Sequence, residues 1–274
     1  MIARYFIYLM LAAYEPTLSL AQIRVEENVD TLPEPGECGI IKPDQLYNLE
    51  KLVEPDEFPW MARLRYNMSN VIDYGCLAVL ISRRYLVAPA HCFRWSQPDA
   101  VLFGSCEDKC KVVTGIDRFI SHPGYEESKI HDDIGLLRLK KPLRYTYYMR
   151  PICLPTADLT EEGFVAHHLM STGFVRFASD SNKRFLLVVG LDHCRRLYRR
   201  QQLADSLLCA STCDNGSRFI SGSALMGVNA TRTRADHYYF VGLLTFGRTD
   251  CMDYSPDVFQ RIDGYVEWFR RNVR

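Results

Sequence analysis

The chain has 274 residues, and its 33 Lys plus Arg are balanced by 33 Asp plus Glu, so the formal net charge is zero. No global field draws it to nucleic acid or to an anionic membrane, and neither partner is expected. With 47% hydrophobic and 24% charged residues, it has the composition of a folded globular protein. The length suits one large all-β domain or two half-sized barrels.

The N-terminus reads as an export signal. Arg4 supplies a positive charge, Tyr5 to Tyr14 is almost wholly apolar, and Ser19-Leu20-Ala21 offers small residues for cleavage before Gln22. The apolar run is roughly half as long as a membrane-spanning helix needs. The expectation is therefore a secreted, extracellular protein with no membrane span, which loses residues 1–21. Gln22 to Pro35 is charged, contains proline and lacks an apolar period, so it is expected to be a flexible tail.

From Trp60 onward, short apolar runs alternate with turn signals, as in "CLAVLIS", "YLVAPA", "IGLLRL", "FLLVVG" and "YYFVGLLTFG". Their length and their Val, Leu, Tyr and Phe content predict many short strands. In "CRRLYRRQQ", Arg195, Arg196, Arg199 and Arg200 sit at helical spacing. A solvated helix face is expected there, with weak polyanion contact as the alternative. At the end, Ile262, Val266, Phe269 and Val273 recur at steps of four, three and four behind Asp263, a candidate cap. The pattern is an all-β fold closed by a C-terminal α-helix.

Ten cysteines form an even set: Cys38, Cys76, Cys92, Cys106, Cys110, Cys153, Cys194, Cys209, Cys213 and Cys251. In an exported chain this favours five disulfides. Zinc is the competing use, but no C-x-x-C pair occurs and no His-x3-5-His spacing lies beside the cysteines, so neither metal nor other cofactor is expected. Asn67, Asn215 and Asn229 stand in N-x-S/T sequons and are candidate glycosylation sites.

Three residues suggest acyl transfer. A serine nucleophile needs a base to take its proton, and the base needs a carboxylate to hold its tautomer. "LVAPAHCF" places His91 after an apolar run, "HDDIGLLRL" places Asp133 at the mouth of another, and "FISGSAL" places Ser221 in a tight turn. Singly, each has a plainer reading as a surface histidine, a turn aspartate or a turn serine.

Together with their surroundings they resemble the trypsin/chymotrypsin family of serine proteases. "EFPWMARL", "CLAVLISRRYLVAPAHC", "DDIGLLRL", "RPICLP", "STGF", "SLLCA", "LTFG" and "PDVFQRIDGYVEWF" follow one another in the family's order. "LPEPGECGI" and the Cys106 to Cys110 loop look most like arthropod clip-type secreted proteases and their inactive homologues. The segment before the domain is short and poor in cysteine, so no clip domain is expected.

The resemblance implies two six-stranded antiparallel β-barrels over residues 47–274, with the site between them. It implies a tail, 22–46, tethered through a Cys38–Cys153 disulfide. It further implies the pairs Cys76–Cys92, Cys106–Cys110, Cys194–Cys209 and Cys213–Cys251. By position, His91 is the general base, Asp133 its orienter and Ser221 the nucleophile. Ser217 is another candidate, but "SGSAL" at Ser221 follows the family's "SGGPL". The substrate pocket maps to Asn215, Thr245, Phe246, Gly247 and Asp257.

The pattern fails around the nucleophile. Active members read "GDSGG" where this chain reads Phe219-Ile220-Ser221-Gly222-Ser223. Phe219 replaces the glycine whose N–H serves the oxyanion. Ile220 replaces the aspartate that pairs with the α-amino group freed by zymogen cleavage. That new terminus belongs near Tyr47, where "QLYNLEKL" has no basic residue before it and no glycine pair after it. Asp257 stands where the family has glycine, and is expected to fill the pocket or to attract a basic side chain. The resulting expectation is a catalytically impaired homologue that binds extracellular proteins or peptides, such as another protease or its substrate, in a proteolytic cascade. The alternative is a working endopeptidase with an unusual activation route.

Overall fold

The computed structural model describes residues 30–274 except 70, 95, 105–110, 162, 176–179, 212–217, 232–233 and 248–254. The apolar runs become strands of two closed antiparallel barrels of six strands each. The first holds β1 (Met61–Met68), β2 (Val71–Leu80), β3 (Tyr85–Ala88), β4 (Ala100–Phe103), β5 (Val112–Ser121) and β6 (Gly135–Leu139), in the order β1-β2-β3-β6-β5-β4. The second holds β7 (His168–Phe174), β8 (Ser181–Val189), β9 (Leu207–Ser211), β10 (Ala224–Ala230), β11 (Ala235–Phe246) and β12 (Asp257–Arg261), in the order β10-β11-β12-β9-β8-β7. Closure leaves no unpaired edge, which is how short strands of this number avoid templating aggregation. The expected all-β class with two barrels and a C-terminal helix is what forms.

The barrels share core as well as chain. Trp60, just before β1, is fully buried, packs on Phe58 and Tyr238, and its indole nitrogen lies 3.2 Å from Met226 Sδ in the second barrel. A second apolar cluster inside the second barrel is built on Leu169, Leu186, Val188, Leu225, Val241 and Phe259. Every residue of β3 is buried, which explains why "YLVA" shows no alternation. A buried ion pair, Lys183 on β8 with Glu57 before β1, spans the two halves with both side chains 2% exposed. Burial pushes the Glu57 carboxyl up, against the pull of the Lys183 ammonium.

The C-terminal helix is α3, Val266–Asn272, and Ile262, Val266, Phe269 and Val273 are all buried as the period predicted. Asp263 is not its cap. It opens a 3-10 turn, Asp263–Tyr265, and its carboxylate accepts the Gly264 N–H at 3.0 Å, so the α-helix starts two residues later than the capping pattern implied. His122 meets Tyr265 and Trp268 edge-on, each with ring centroids 5.1 Å apart. Its Nδ1 accepts the Gly124 N–H at 3.2 Å and lies 3.6 Å from Asp132 Oδ1.

Burial holds the His122 imidazole below its ordinary value of 6.5, outweighing the Asp132 carboxylate. The unfolded chain therefore takes up this proton first as pH falls. The contribution of neutral His122 is fully present above about pH 6.5 and is lost as pH drops through the lowered value. His122→Gln is expected to flatten the fall in melting temperature between neutral and acid pH. Parallel melting curves for the two proteins across that range would contradict the assignment.

The N-terminal segment is less free than its composition suggests. Asp30 is 8% exposed and pairs with Arg84 and Arg138 on the first barrel, so the tail is docked from Asp30 rather than loose to Pro35. Cys38 is fully buried and bonded to Cys153, and Gly39 donates to the Pro151 carbonyl oxygen at 2.8 Å. The short helix α1 (Pro43–Leu46) buries Gln45, whose amide donates to Glu54 and Asp56. Composition reports average polarity, whereas three specific charged partners decide this docking.

Cys76–Cys92 and Cys194–Cys209 also form as expected, while Cys106–Cys110 and Cys213–Cys251 lie outside the described residues. The four arginines do not share one helix. Helix α2 covers Leu191–Leu197 only, and the Arg195 guanidinium is held at the surface by Asp192, Asp205 and the Leu203 carbonyl. Arg196, Arg199 and Arg200 are exposed, the last two beyond the helix end.

Candidate active site

Strand register brings the first two site residues together. Ala88, the last residue of β3, pairs with Gly135, the first of β6. His91 lies three residues beyond one strand end and Asp133 two residues before the other, so they meet at one rim of the barrel. His91 sits in a 3-10 turn, Ala90–Phe93, that the buried Cys92 pins to Cys76 of β2. Asp133 is 6% exposed and accepts twice from His91, from the backbone N–H at 2.9 Å and from ring Nδ1 at 2.6 Å. This holds the proton on Nδ1 and leaves Nε2 as the acceptor, the tautomer a general base requires.

Ser221 reaches the same rim from the second barrel. Its carbonyl oxygen accepts the Leu77 N–H at 2.8 Å, and Leu77 adjoins Cys76, whose disulfide partner adjoins His91. Gly222 follows at φ +92°, donating to the Leu244 carbonyl oxygen at 2.8 Å. A Cβ at Gly222 would overlap the Leu77 carbonyl oxygen, so this turn requires glycine on both conformational and steric grounds. Ser221 is half-buried. Among the described residues no hydrogen bond joins it to His91, whose Nε2 lies 3.5 Å from Cys92 Sγ. The sulfurs of Cys76 and Cys92, close to His91, are spent in a disulfide and supply no thiolate for a metal.

The residues before Ser221 turn inward. Phe219 is 8% exposed within the second barrel's core, and the Arg184 guanidinium lies 4.6 Å from its ring centroid. Its backbone is outside the left-handed region, in contrast to Gly222. Ile220 is half-buried against the larger core, and its N–H donates to the Phe174 carbonyl oxygen at 2.9 Å. Ser223 is fully buried, and its hydroxyl donates to the Ile220 carbonyl oxygen at 2.8 Å. Near the position expected for a new N-terminus, Tyr47 and Leu49 are each 78% exposed.

Of the residues expected to line a pocket, Thr245 and Phe246 lie on β11 and Asp257 on β12. Thr245 is buried, Phe246 packs edge-on against Tyr198 at 5.2 Å, and Gly247 follows at the strand end. Asp257 begins β12 and is 2% exposed. Asn215 lies outside the described residues, as does Ser217. Of the sequons, Asn67 is exposed on β1, Asn229 is half-buried on β10, and Asn215 is again undescribed. The residue that sequence reasoning missed is Arg218, whose guanidinium pairs with the buried Asp257 carboxylate. A signal was present: a carboxylate at a buried strand start needs a cation, and Arg218 adjoins the nucleophile turn.

The family described as Trypsin matches residues 50–269. CLIP domain-containing serine protease B9 of Anopheles gambiae is 28% identical across 88% of this chain and 66% of its own length. Phenoloxidase-activating factor 1 of Holotrichia diomphalia is 28% identical across 96% of this chain and 79% of its own. Serine protease ea of Drosophila melanogaster is 29% identical across 88% of this chain and 71% of its own. The chain thus spans about two thirds to four fifths of the length of these relatives. Among solved structures, the Drosophila Grass clip serine protease of the Toll pathway shares the fold at a TM-score of 0.72 and 22% identity, over 90% of this chain and 75% of that one. Since the match runs from before the first barrel into the C-terminal helix, the chain belongs to the trypsin family.

Proposed function

We propose that this chain is a secreted trypsin-family homologue that has lost efficient proteolysis and acts by binding in an extracellular proteolytic cascade. Its partners are extracellular proteins or peptides, among them another protease or its substrate. The observation that carries this reading is Ile220, an apolar side chain packed on the core where active members place the activating carboxylate. Without that carboxylate, a freed α-amino group entering the core has no counterion, which costs about 3–5 kcal/mol. Phe219 weakens a second requirement. Its backbone N–H remains, but with its ring buried in the barrel and its φ outside the left-handed region it lacks the freedom by which glycine turns that N–H toward the oxyanion. Losing one oxyanion donor costs about a hundred- to a thousand-fold in rate.

Relatives bearing the name phenoloxidase-activating factor support a cascade setting. Residues 1–21, read as an export signal, and the three described disulfides support secretion. His91, Asp133 and Ser221 are inherited site positions. The hydrogen bonds between His91 and Asp133 favour one second reading, an endopeptidase with an unusual activation route.

Limited digestion with a trypsin-like protease, followed by labelling with a serine-directed fluorophosphonate and by peptidase assay, separates the two. No cut near the exposed Tyr47 is expected to produce turnover of basic, aromatic or small-residue substrates. Robust labelling of Ser221 or a gain of activity after such a cut would overturn the impaired reading.

A further inference from the structure

The hairpin joining β1 and β2 runs past the closed barrel. Pairing of β1 with β4 stops at Arg65, and β2 meets β3 only at Val79 and Leu80. Among the described residues, 66–68 and 71–73 therefore pair only with each other, as Tyr66 with Asp73, Asn67 with Ile72 and Met68 with Val71. Tyr66 turns into the molecule, and its hydroxyl donates to the Cys92 carbonyl oxygen at 2.6 Å. The far end faces water: Met68 is 50% exposed, Val71 65% and Ile72 57%. Asn67 and Ser69, both exposed, belong to the sequon N-M-S on this same ribbon. We propose that Asn67 carries an N-linked glycan whose first sugars lie over Ile72 and screen the ribbon from pairing with a second copy of the chain.

A two-stranded ribbon with apolar side chains and open edges is a template for another strand. Natural edges are blunted by charge or proline, yet residues 66–72 contain neither. The one irregularity in the ladder lies nearer the barrel, between Leu64 and Tyr66. A glycan supplies the missing protection. Directly opposite residues of an antiparallel pair project from one face with Cβ atoms about 4.5–5.5 Å apart, so a sugar on Asn67 starts beside Ile72. The C–H face of the pyranose covers the aliphatic side chain, while its hydroxyls keep the surface soluble. The other described sequon lacks this setting. Asn229 is half-buried opposite the buried His237, and the Thr231 hydroxyl both donates to and accepts from the Arg234 backbone. Attachment joins the Asn67 amide nitrogen to the anomeric carbon of a lipid-pyrophosphate-linked oligosaccharide. The lipid pyrophosphate leaves and the nitrogen gives up one proton, with no oxidation or reduction. The inference rests on the export reading, since the donor belongs to the secretory pathway, and requires nothing of Ser221.

The test secretes the full chain from insect cells behind its own leader and, separately, behind an unrelated one. The variants are Asn67→Gln, Ser69→Ala, and Asn67→Gln combined with Val71→Thr and Ile72→Thr. Ser69→Ala keeps Asn67 but removes the acceptor signal. Glycopeptide mapping reads occupancy at Asn67 alone, and sedimentation reads self-association. The expected result is an occupied Asn67 and a monomeric parent. Both sequon-less variants should self-associate at a protein concentration lower by about tenfold or more, and the two threonines should reverse this. Should the sequon-less variants fail to leave the cell, stripping the purified, folded parent with a peptide-N-glycosidase gives the same sedimentation readout. An empty Asn67 in chain secreted behind the unrelated leader would overturn the proposal. So would deglycosylated protein that stays monomeric, or self-association that the threonines do not relieve. A glycan present only behind the unrelated leader would count against the export reading and leave this one standing.

Discussion

A variant carrying Ile220→Asp, Phe219→Gly and a cleavable Arg-Ile-Val-Gly-Gly start near Tyr47 is expected to label at Ser221 once cut, while each change made alone stays dark. Ile220→Asp alone places a carboxylate against the apolar core with no amine to meet it, at a cost of about 2 kcal/mol or more. The new start alone frees an amine whose counterpart is still isoleucine. Phe219→Gly alone restores only the backbone of an oxyanion donor, and emptying the ring's place in the core costs about 3–5 kcal/mol. The gain should therefore be strongly non-additive, with the triple variant less stable than the parent and best assayed in the cold. The His91 hydrogen bonds to Asp133 already hold the tautomer needed, so no repair is made there. A correctly cut triple variant that stays dark would place the damage elsewhere, with the Arg218–Asp257 pair the next suspect. Labelling of the unaltered chain at the same strength would show that Ser221 was active throughout.

The second large effect is on stability. Breaking Cys38–Cys153 as a double serine variant is expected to cost about 4–5 kcal/mol, because the bond closes a loop of 115 residues. The corresponding change at Cys76–Cys92, which closes 16 residues, is expected to cost about 3 kcal/mol on the same chain-entropy account. Denaturant unfolding of both variants gives the ordering, and a larger loss at Cys76–Cys92 would contradict it. That second variant also frees the turn carrying His91, so its labelling behaviour and its stability should change together. Non-reducing peptide mapping is expected to recover Cys106–Cys110 and Cys213–Cys251. A free thiol at Cys213 or Cys251 would undo the alignment of the nucleophile segment.

Local pattern made much of the fold legible. Strand runs such as "IGLLRL" are short, apolar and bounded by turn residues, and a strand reports itself through neighbours two residues apart. The C-terminal helix was legible for the same reason at its own period, with Ile262, Val266, Phe269 and Val273 all buried. Its start was not, because Asp263 resembles a cap by composition yet spends its carboxylate on Gly264 and Arg261. The four-arginine face failed likewise: spacing cannot tell that α2 ends at Leu197 or that Arg195 is claimed by Asp205.

By itself, the sequence determined the all-β class and the C-terminal helix, and its run of landmarks in the trypsin family's order implied the two barrels and the three described disulfide pairs. Only the tertiary structure decided which distant side chains meet. Asp30 docks onto Arg84 and Arg138, Phe219 buries its ring beneath Arg184, and Arg218 meets Asp257 across 39 residues. The physical reason is that these charges and rings are placed by register between strands distant in sequence. A buried charge must be neutralised by whichever partner the fold delivers. That partner is a property of the assembled barrels, and no local spacing records it.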